Sequence, residues 1–422
     1  MGPLQRNPPD DGALAAPGGR PHTGGMASTA PRRVLPVIVL SQFAGTSLWF
    51  AVNAVLPDLQ QAWALPPAAL ATVTSAVQLG FVAGTLVFAL LMLADRFPPT
   101  RVFCTCALLG ALCNAATIFL HGQFHLLVAL RLAVGFLLAG IYPVGMKIAA
   151  SWYREGLGAA LGVLVGALVL GTALPHGLRA VAGSGIAALP AAGSLMPWQQ
   201  VVLAVSALAA LGGLATVWLV PQQRGAIGQR ITPRALAAIW SERKLRASVF
   251  GYFGHMWELY AFYALVPLIV ATHWSGSGLS TIAFWSIAAG VAGCVVGGLL
   301  AGRFGSARVA QCQLAASGAC CLLAPLLLHA PTAWFLAWLL VWGTTVVGDS
   351  PQFSTLTARN APAAIVGSVL TCSNSIGFAI SVVSIELFVR ACAVWPLGSV
   401  LPFLAIGPLL GLLALRPLLR PA

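Results

Sequence analysis

Charge is nearly missing from this chain. Of its 422 residues only 7% are Asp, Glu, Lys or Arg, and nine acidic side chains stand against 22 basic ones. A water-soluble protein of this size needs a charged coat that so few residues cannot make. Segments of alternating hydrophobicity about ten residues long are missing too, which excludes a membrane β-barrel. No Gly-x-x-x-x-Gly-Lys-Ser/Thr phosphate loop occurs, so ATP is not the direct energy source of any activity here. No nucleophile–base constellation of an enzyme stands out, and we expect neither catalysis nor a cofactor. The nine cysteines include no Cys-x-x-Cys pair, and nearly all fall inside apolar stretches, where they read as small buried hydrophobes rather than metal ligands.

What the chain has instead is apolar length. Hydrophobic residues make up 59% of it, in runs of roughly 20 that match the ~30 Å hydrocarbon core of a bilayer. The class is all-α integral membrane, with 12 transmembrane helices expected near 34–56, 69–93, 102–120, 126–150, 157–180, 198–220, 248–271, 279–301, 309–329, 333–357, 364–389 and 396–418. Residues 1–33, rich in Pro, Gly and Ala without helical period, read as a disordered tail. Met26 is an alternative start, and no cleavable signal peptide is evident.

The sequence also repeats itself. Leu91 to Val102 realigns on Gly298 to Val309, and a nearly equal offset lays Trp49 on Trp257 and Gly140-Ile141-Tyr142-Pro143 on Gly348-Asp349-Ser350-Pro351. Two pseudo-symmetric six-helix bundles follow, 34–220 and 248–422, joined by a basic linker over 221–247. Such halves can rock about a shared central site.

The net charge of +13 suggests nucleic acid until its placement is read. With both termini inside, 18 of the 22 Lys and Arg fall in cytoplasmic segments, among them Arg96, Arg101, Arg154, Arg303, Arg308 and the linker cluster. Arg179 and Arg390 lie at outer ends, while Arg131 and Lys147 lie within the fourth span. That bias is the positive-inside pattern, with cytoplasmic termini and no nucleic-acid partner.

The loop Leu93-Ala94-Asp95-Arg96-Phe97-Pro98-Pro99-Thr100-Arg101 resembles the cytoplasmic-loop signature of the major facilitator superfamily, Gly-x-Leu-Ala-Asp-Arg-x-Gly-Arg-Arg. Leu91 and Pro98 replace its glycines. The second-half copy keeps Gly298 and Gly305 but has Gly302 in place of the aspartate. Arg131-Leu132-Ala133-Val134-Gly135 is similar to the Arg-x-x-x-Gly motif of the same superfamily. The resemblance implies alternating access, with the first, fourth, seventh and tenth spans lining a cavity. It also implies a conformational latch at Asp95, with Arg96, Arg101 and Arg303 in the paired loops. The drug/proton antiporter signature is not met in the fifth span, where Ala173-Leu174-Pro175-His176-Gly177 stands. Among its members the chain is most similar to bacterial nitrate- or cyanate-type permeases, although the mid-span arginines that nitrate carriers place in the second and eighth spans are missing. We expect a carrier that works as a monomer in the inner membrane of a bacterium.

Charges inside a span cost at least ~2.5–3.5 kcal/mol at the bilayer centre, so each needs a reason. Glu258 sits mid-span in the seventh helix, three residues after His255 and on the same face. Its protonation would follow its surroundings, as proton coupling requires. Asp349 lies two residues before Pro351, where a freed carbonyl kinks the tenth span. Arg131 is a counter-ion to a carboxylate or an anionic solute, or it snorkels to headgroups. Lys147 snorkels inward or draws anions, and Glu386 with Arg390 reads as an interfacial pair. Trp49, Asn53, Tyr142, Trp257, Tyr260, Tyr263, Trp338 and Trp342 supply an amphipathic lining. Together these residues point to a secondary active transporter of a small organic or anionic solute, proton-coupled through Glu258, His255, Asp349 and Arg131. A drug or metabolite efflux antiporter and a non-transporting membrane sensor are the alternatives.

Overall fold

A computed structural model describes residues 31–153, 157–184, 196–222 and 233–419. The expected tail falls outside it up to residue 30, as do Arg154, Arg224, Arg230 and Arg420. Every regular element among the described residues is a helix.

Eleven of these helices are long and apolar enough to cross a membrane. In the first half they are Val34–Trp63, Ala69–Leu90, Pro99–Phe119, Phe124–Trp152, Ala160–Gly183 and Pro197–Leu219. In the second half they are Arg243–Val270, Gly276–Phe304, Ser306–Leu327, Ala363–Cys392 and Leu397–Leu419. The remaining span, the tenth, is divided at Asp349 into Thr332–Gly348 and Ser350–Asn360. The first span continues past the expected residue 56, through Pro57 to Trp63, and the seventh starts at Arg243 instead of 248. Helix satisfies every backbone donor and acceptor within the segment, which a hydrocarbon surrounding demands. Leucines such as Leu86, Leu90, Leu112, Leu211, Leu299 and Leu326 stay outward, giving a surface that only lipid solvates.

Packing repeats at a step of six spans. The second helix packs on the fourth as the eighth does on the tenth. The third packs on the sixth as the ninth does on the twelfth, and the first on the fifth as the seventh on the eleventh. Glycines fix the closest of these crossings. A Cβ on Gly135 would lie 2.8 Å from the Val77 carbonyl carbon and 3.0 Å from the Phe81 nitrogen, nearer still to the Val77 oxygen. Gly343, its repeat partner, meets the eighth span the same way, 2.9 Å from the Ser286 carbonyl carbon. The glycine of the Arg-x-x-x-Gly motif therefore serves backbone contact.

The fourth and tenth spans also break at equivalent places. Each lower piece starts with proline in its first turn, Pro143 and Pro351, where a missing N–H costs nothing. The first span breaks for another reason. Thr46 Oγ1 donates to Gln42 O at 2.8 Å and Ser47 Oγ to Ala44 O at 2.6 Å, and such back-bonding bends helices. Helix resumes at Ala51, which leaves the Leu48 and Trp49 carbonyls outside the ladder.

The halves meet where the second helix packs on the eleventh and the fifth on the eighth. Aromatic rings fill the middle of this seam. Trp49 stacks on Tyr260 and Phe378, with centroids 5.8 and 5.6 Å apart. Phe81 sits 4.4 Å from Phe378, and Phe50 meets Tyr263 edge-on at 5.9 Å. Leu48 to Leu56 and Glu258 to Val266 are buried at every position, so each of these stretches is enclosed on all faces. The seam is shut at the end away from Asp95.

Candidate functional site

Glu258 is 1% exposed, and its carboxylate points into the second half instead of across the seam. Three donors from two other spans meet it. Trp342 Nε1 donates to Oε1 at 2.6 Å, Cys321 Sγ to the same oxygen at 3.2 Å, and Ser317 Oγ to Oε2 at 2.9 Å. A buried carboxylate needs this much hydrogen bonding to offset desolvation. Glu258 thereby ties the seventh span to the ninth and tenth.

His255 does not join it. Although i,i+3 spacing puts the two side chains on one broad face, His255 Nδ1 lies 2.7 Å from Asp349 Oδ1. Both residues are enclosed, at 1% and 0% side-chain exposure. Asp349 stands at the break in the tenth span and leads the lower helix without capping it through its side chain. Phe353 and Tyr252 flank the imidazole, with centroids 6.1 and 5.8 Å away. Two buried carboxylates thus sit on adjacent spans with different partners.

Arg131 neither snorkels nor meets a carboxylate. It is 1% exposed, and its NH2 donates to Leu48 O at 3.0 Å and Trp49 O at 2.5 Å, the two carbonyls released by the break in the first span. Sequence position suggested a site near the membrane surface, but the break brings the middle of the first span to the guanidinium.

Asp95 faces a basic side chain, as a latch requires, and that side chain is Lys147, at 2.5 Å. Lys147 also donates to Ala94 O at 2.9 Å, so it ties the fourth span to the loop after the second instead of snorkelling. Arg96, Arg101 and Arg303 are exposed, and Arg303 rides 5.4 Å from the Phe304 ring centroid. Glu386 and Arg390 pair at 2.6 Å as expected. At the opposite end Arg179 grips Asp58 with two contacts, 3.0 and 3.1 Å, joining the fifth span to the first.

Of the expected lining residues, Trp49, Asn53, Tyr263 and Asp349 are packed into the closed centre. Asn53 Nδ2 donates to Thr74 Oγ1 at 2.6 Å. Tyr142 is half-buried beside the break in the fourth span. Trp257 departs from expectation. It borders a cavity of about 510 Å³ against the eleventh and twelfth spans, with Phe388, Trp395 and Phe403, away from the seam.

Sequence reasoning missed the donors to Glu258 and the Asp58–Arg179 pair. Ser317 and Cys321, spaced i,i+4 on the ninth span, are a short polar stripe on one face, and that signal was available. Asp58 sits near the end of the first span, beyond the boundary the hydropathy suggested.

The Major Facilitator Superfamily model matches residues 38–385. No curated protein matches the sequence. Among solved structures, one similar chain is a bacterial homolog of the human lysosomal transporter Spinster, inward-facing and unoccupied. It is 16% identical, with a TM-score of 0.67, over 92% of this chain and 98% of that one. Another is a mutant of the nucleoside transporter NupG, 15% identical with a TM-score of 0.68, over 92% of this chain and all of that one. At these identities the likeness is one of fold.

Proposed function

Because the chain belongs to the major facilitator superfamily, and is therefore a multi-pass membrane transporter, we propose that it is a secondary active carrier moving a small organic or anionic solute. The halves rock about the aromatic seam, exposing its centre to one side and then the other. The basic end faces the cytoplasm of a bacterium and the Asp58–Arg179 end faces outward, as the distribution of Lys and Arg favours.

Protons drive the cycle through Glu258 and the His255–Asp349 pair. One observation carries this reading: two carboxylates lie fully enclosed within the helix bundle, and each is held by side chains from spans other than its own. Ionisable groups at such depth are functional by default. A shift of the tenth span relative to the seventh changes the donors to Glu258 and the distance from His255 to Asp349. Protonation then follows conformation, and conformation follows protonation.

Glu258→Gln tests the coupling. The amide keeps the shape and accepts from Trp342, but carries no proton on and off. In proteoliposomes it is expected to abolish uptake or efflux driven by a pH gradient and to leave solute counterflow measurable. Retained pH-gradient dependence removes Glu258 from the coupling.

A further inference from the structure

Polar atoms without partners gather around the break in the first span. Arg131 uses only NH2, and among the described residues nothing accepts from its Nε or NH1. Trp49 Nε1, Asn53 Oδ1 and both ends of the Gln78 amide are likewise buried and unpartnered. These groups share one neighbourhood. Asn53 bonds Thr74, Gln78 lies one turn further along the second span, and Phe81 packs its ring 4.8 Å from Trp49. Gly135, one turn after Arg131, presses on the second span between Val77 and Phe81, so Arg131 lies one helical turn from a crossing that flanks Gln78.

A native core leaves few polar atoms unsatisfied, and a buried guanidinium without a countercharge is among the costliest. Aspartate and glutamate do not relieve it. The first half holds no mid-membrane carboxylate, and Glu258 and Asp349 are engaged in the second half. Donors outnumber acceptors in the cluster: the guanidinium N–H groups, the Trp49 indole N–H and the Gln78 amide all point to an acceptor-rich occupant. Trp49 closes the cluster on the seam side through its stacking on Tyr260 and Phe378, so parting the halves uncovers it.

We propose that Arg131, Gln78, Trp49 and Asn53 form a subsite for a carboxylate or similar planar oxyanion carried by the transported solute. This rests on the carrier reading given above. The free Nε–H and NH1 hydrogens project from different edges of the guanidinium plane, so each donates singly to an oxygen of the solute's oxyanion. Gln78 and Trp49 supply further donors, and NH2 keeps its structural bonds to the first span.

The test uses purified full-length protein and thermal unfolding at constant ionic strength. The probes are acetate, benzoate, nicotinate and succinate, each beside its uncharged amide. At least one carboxylate is expected to raise the midpoint while its amide does not, since a ligand of the folded state stabilises by mass action. Gln78→Leu removes an unsatisfied buried amide, so its unliganded midpoint should rise. The apparent affinity for the stabilising carboxylate should fall about tenfold, the worth of one hydrogen bond to a charged group. Arg131→Lys should abolish the response. No carboxylate response in the wild type, or one that Gln78→Leu leaves intact, overturns the subsite. Proteoliposome flux separates the two proposals. Carboxylate binding without solute movement refutes the carrier and spares the subsite. Movement of an uncharged solute, unaltered by Arg131→Lys, refutes the subsite and spares the carrier.

Discussion

Gly135→Ala adds one methyl group where two helices touch backbone to backbone. The new Cβ would stand 2.8 Å from the Val77 carbonyl carbon and closer to its oxygen, whereas real Cβ atoms essentially never come within 3.0 Å of a heavy atom from another part of the chain. A carbonyl in a helix ladder cannot turn away, so the second and fourth spans must separate by roughly 1 Å, and overpacking of this kind costs about 1–3 kcal/mol. Separation also loosens Arg131, one turn away, from the Leu48 and Trp49 carbonyls. Gly162→Ala is the control, because a Cβ there meets nothing within 4 Å. In a helix that change is neutral or stabilising by up to roughly 1 kcal/mol. Thermal unfolding of the detergent-purified protein should place Gly135→Ala well below wild type and Gly162→Ala at or above it. Gly343→Ala, at the equivalent crossing in the second half, should behave like Gly135→Ala. Equal midpoints for all three would refute the close-crossing argument and weaken the structural repeat with it.

Trp342→Phe keeps the ring packing on Phe262 and Trp338 but deletes the 2.6 Å donor to Glu258. We expect about 1–3 kcal/mol of lost stability and a displaced pH profile of transport; an unmoved profile argues that Glu258 is purely structural. Asp95→Asn breaks a pair whose side chains are 15% and 25% exposed, so stability should change by at most ~1 kcal/mol. Its effect should appear in conformational exchange, as altered cysteine-labelling rates at the seam, and wild-type rates would end the latch assignment. Asp58→Asn removes the two-contact grip of Arg179 at the far end. Its destabilisation should shrink between low and high salt, because the pair is partly exposed; a salt-independent loss would point to packing instead.

The helical class, the twofold repeat and the kink at Pro351 were legible because each is written locally, in run length, spacing or residue type. Partnerships were not. His255 and Glu258 share a face by the i,i+3 rule, yet one side chain reaches the tenth span near its break and the other reaches Trp342 about two turns earlier. Which neighbour stands beside each is decided by helix tilt and by glycine crossings, properties of pairs of helices. Arg131 shows the same limit. Counting residues from the end of its own span suggested a surface position, because nothing in that count reveals the break in the first span beside it. The lining residues were chosen by span number, and Trp257 shows that one helix can present different neighbours on each flank.

The packed rings of Trp49, Phe50, Phe81, Tyr260 and Phe378 have an electrical meaning as well. A dry sheet of aromatic carbon is an insulator, and most of the membrane voltage must fall across such a sheet wherever water reaches toward it from either face. An elementary charge carried past it gains or loses about 2.3 kcal/mol per 100 mV. Every turnover that moves net charge should therefore be voltage-dependent, while the resting protein should pass no measurable ionic leak.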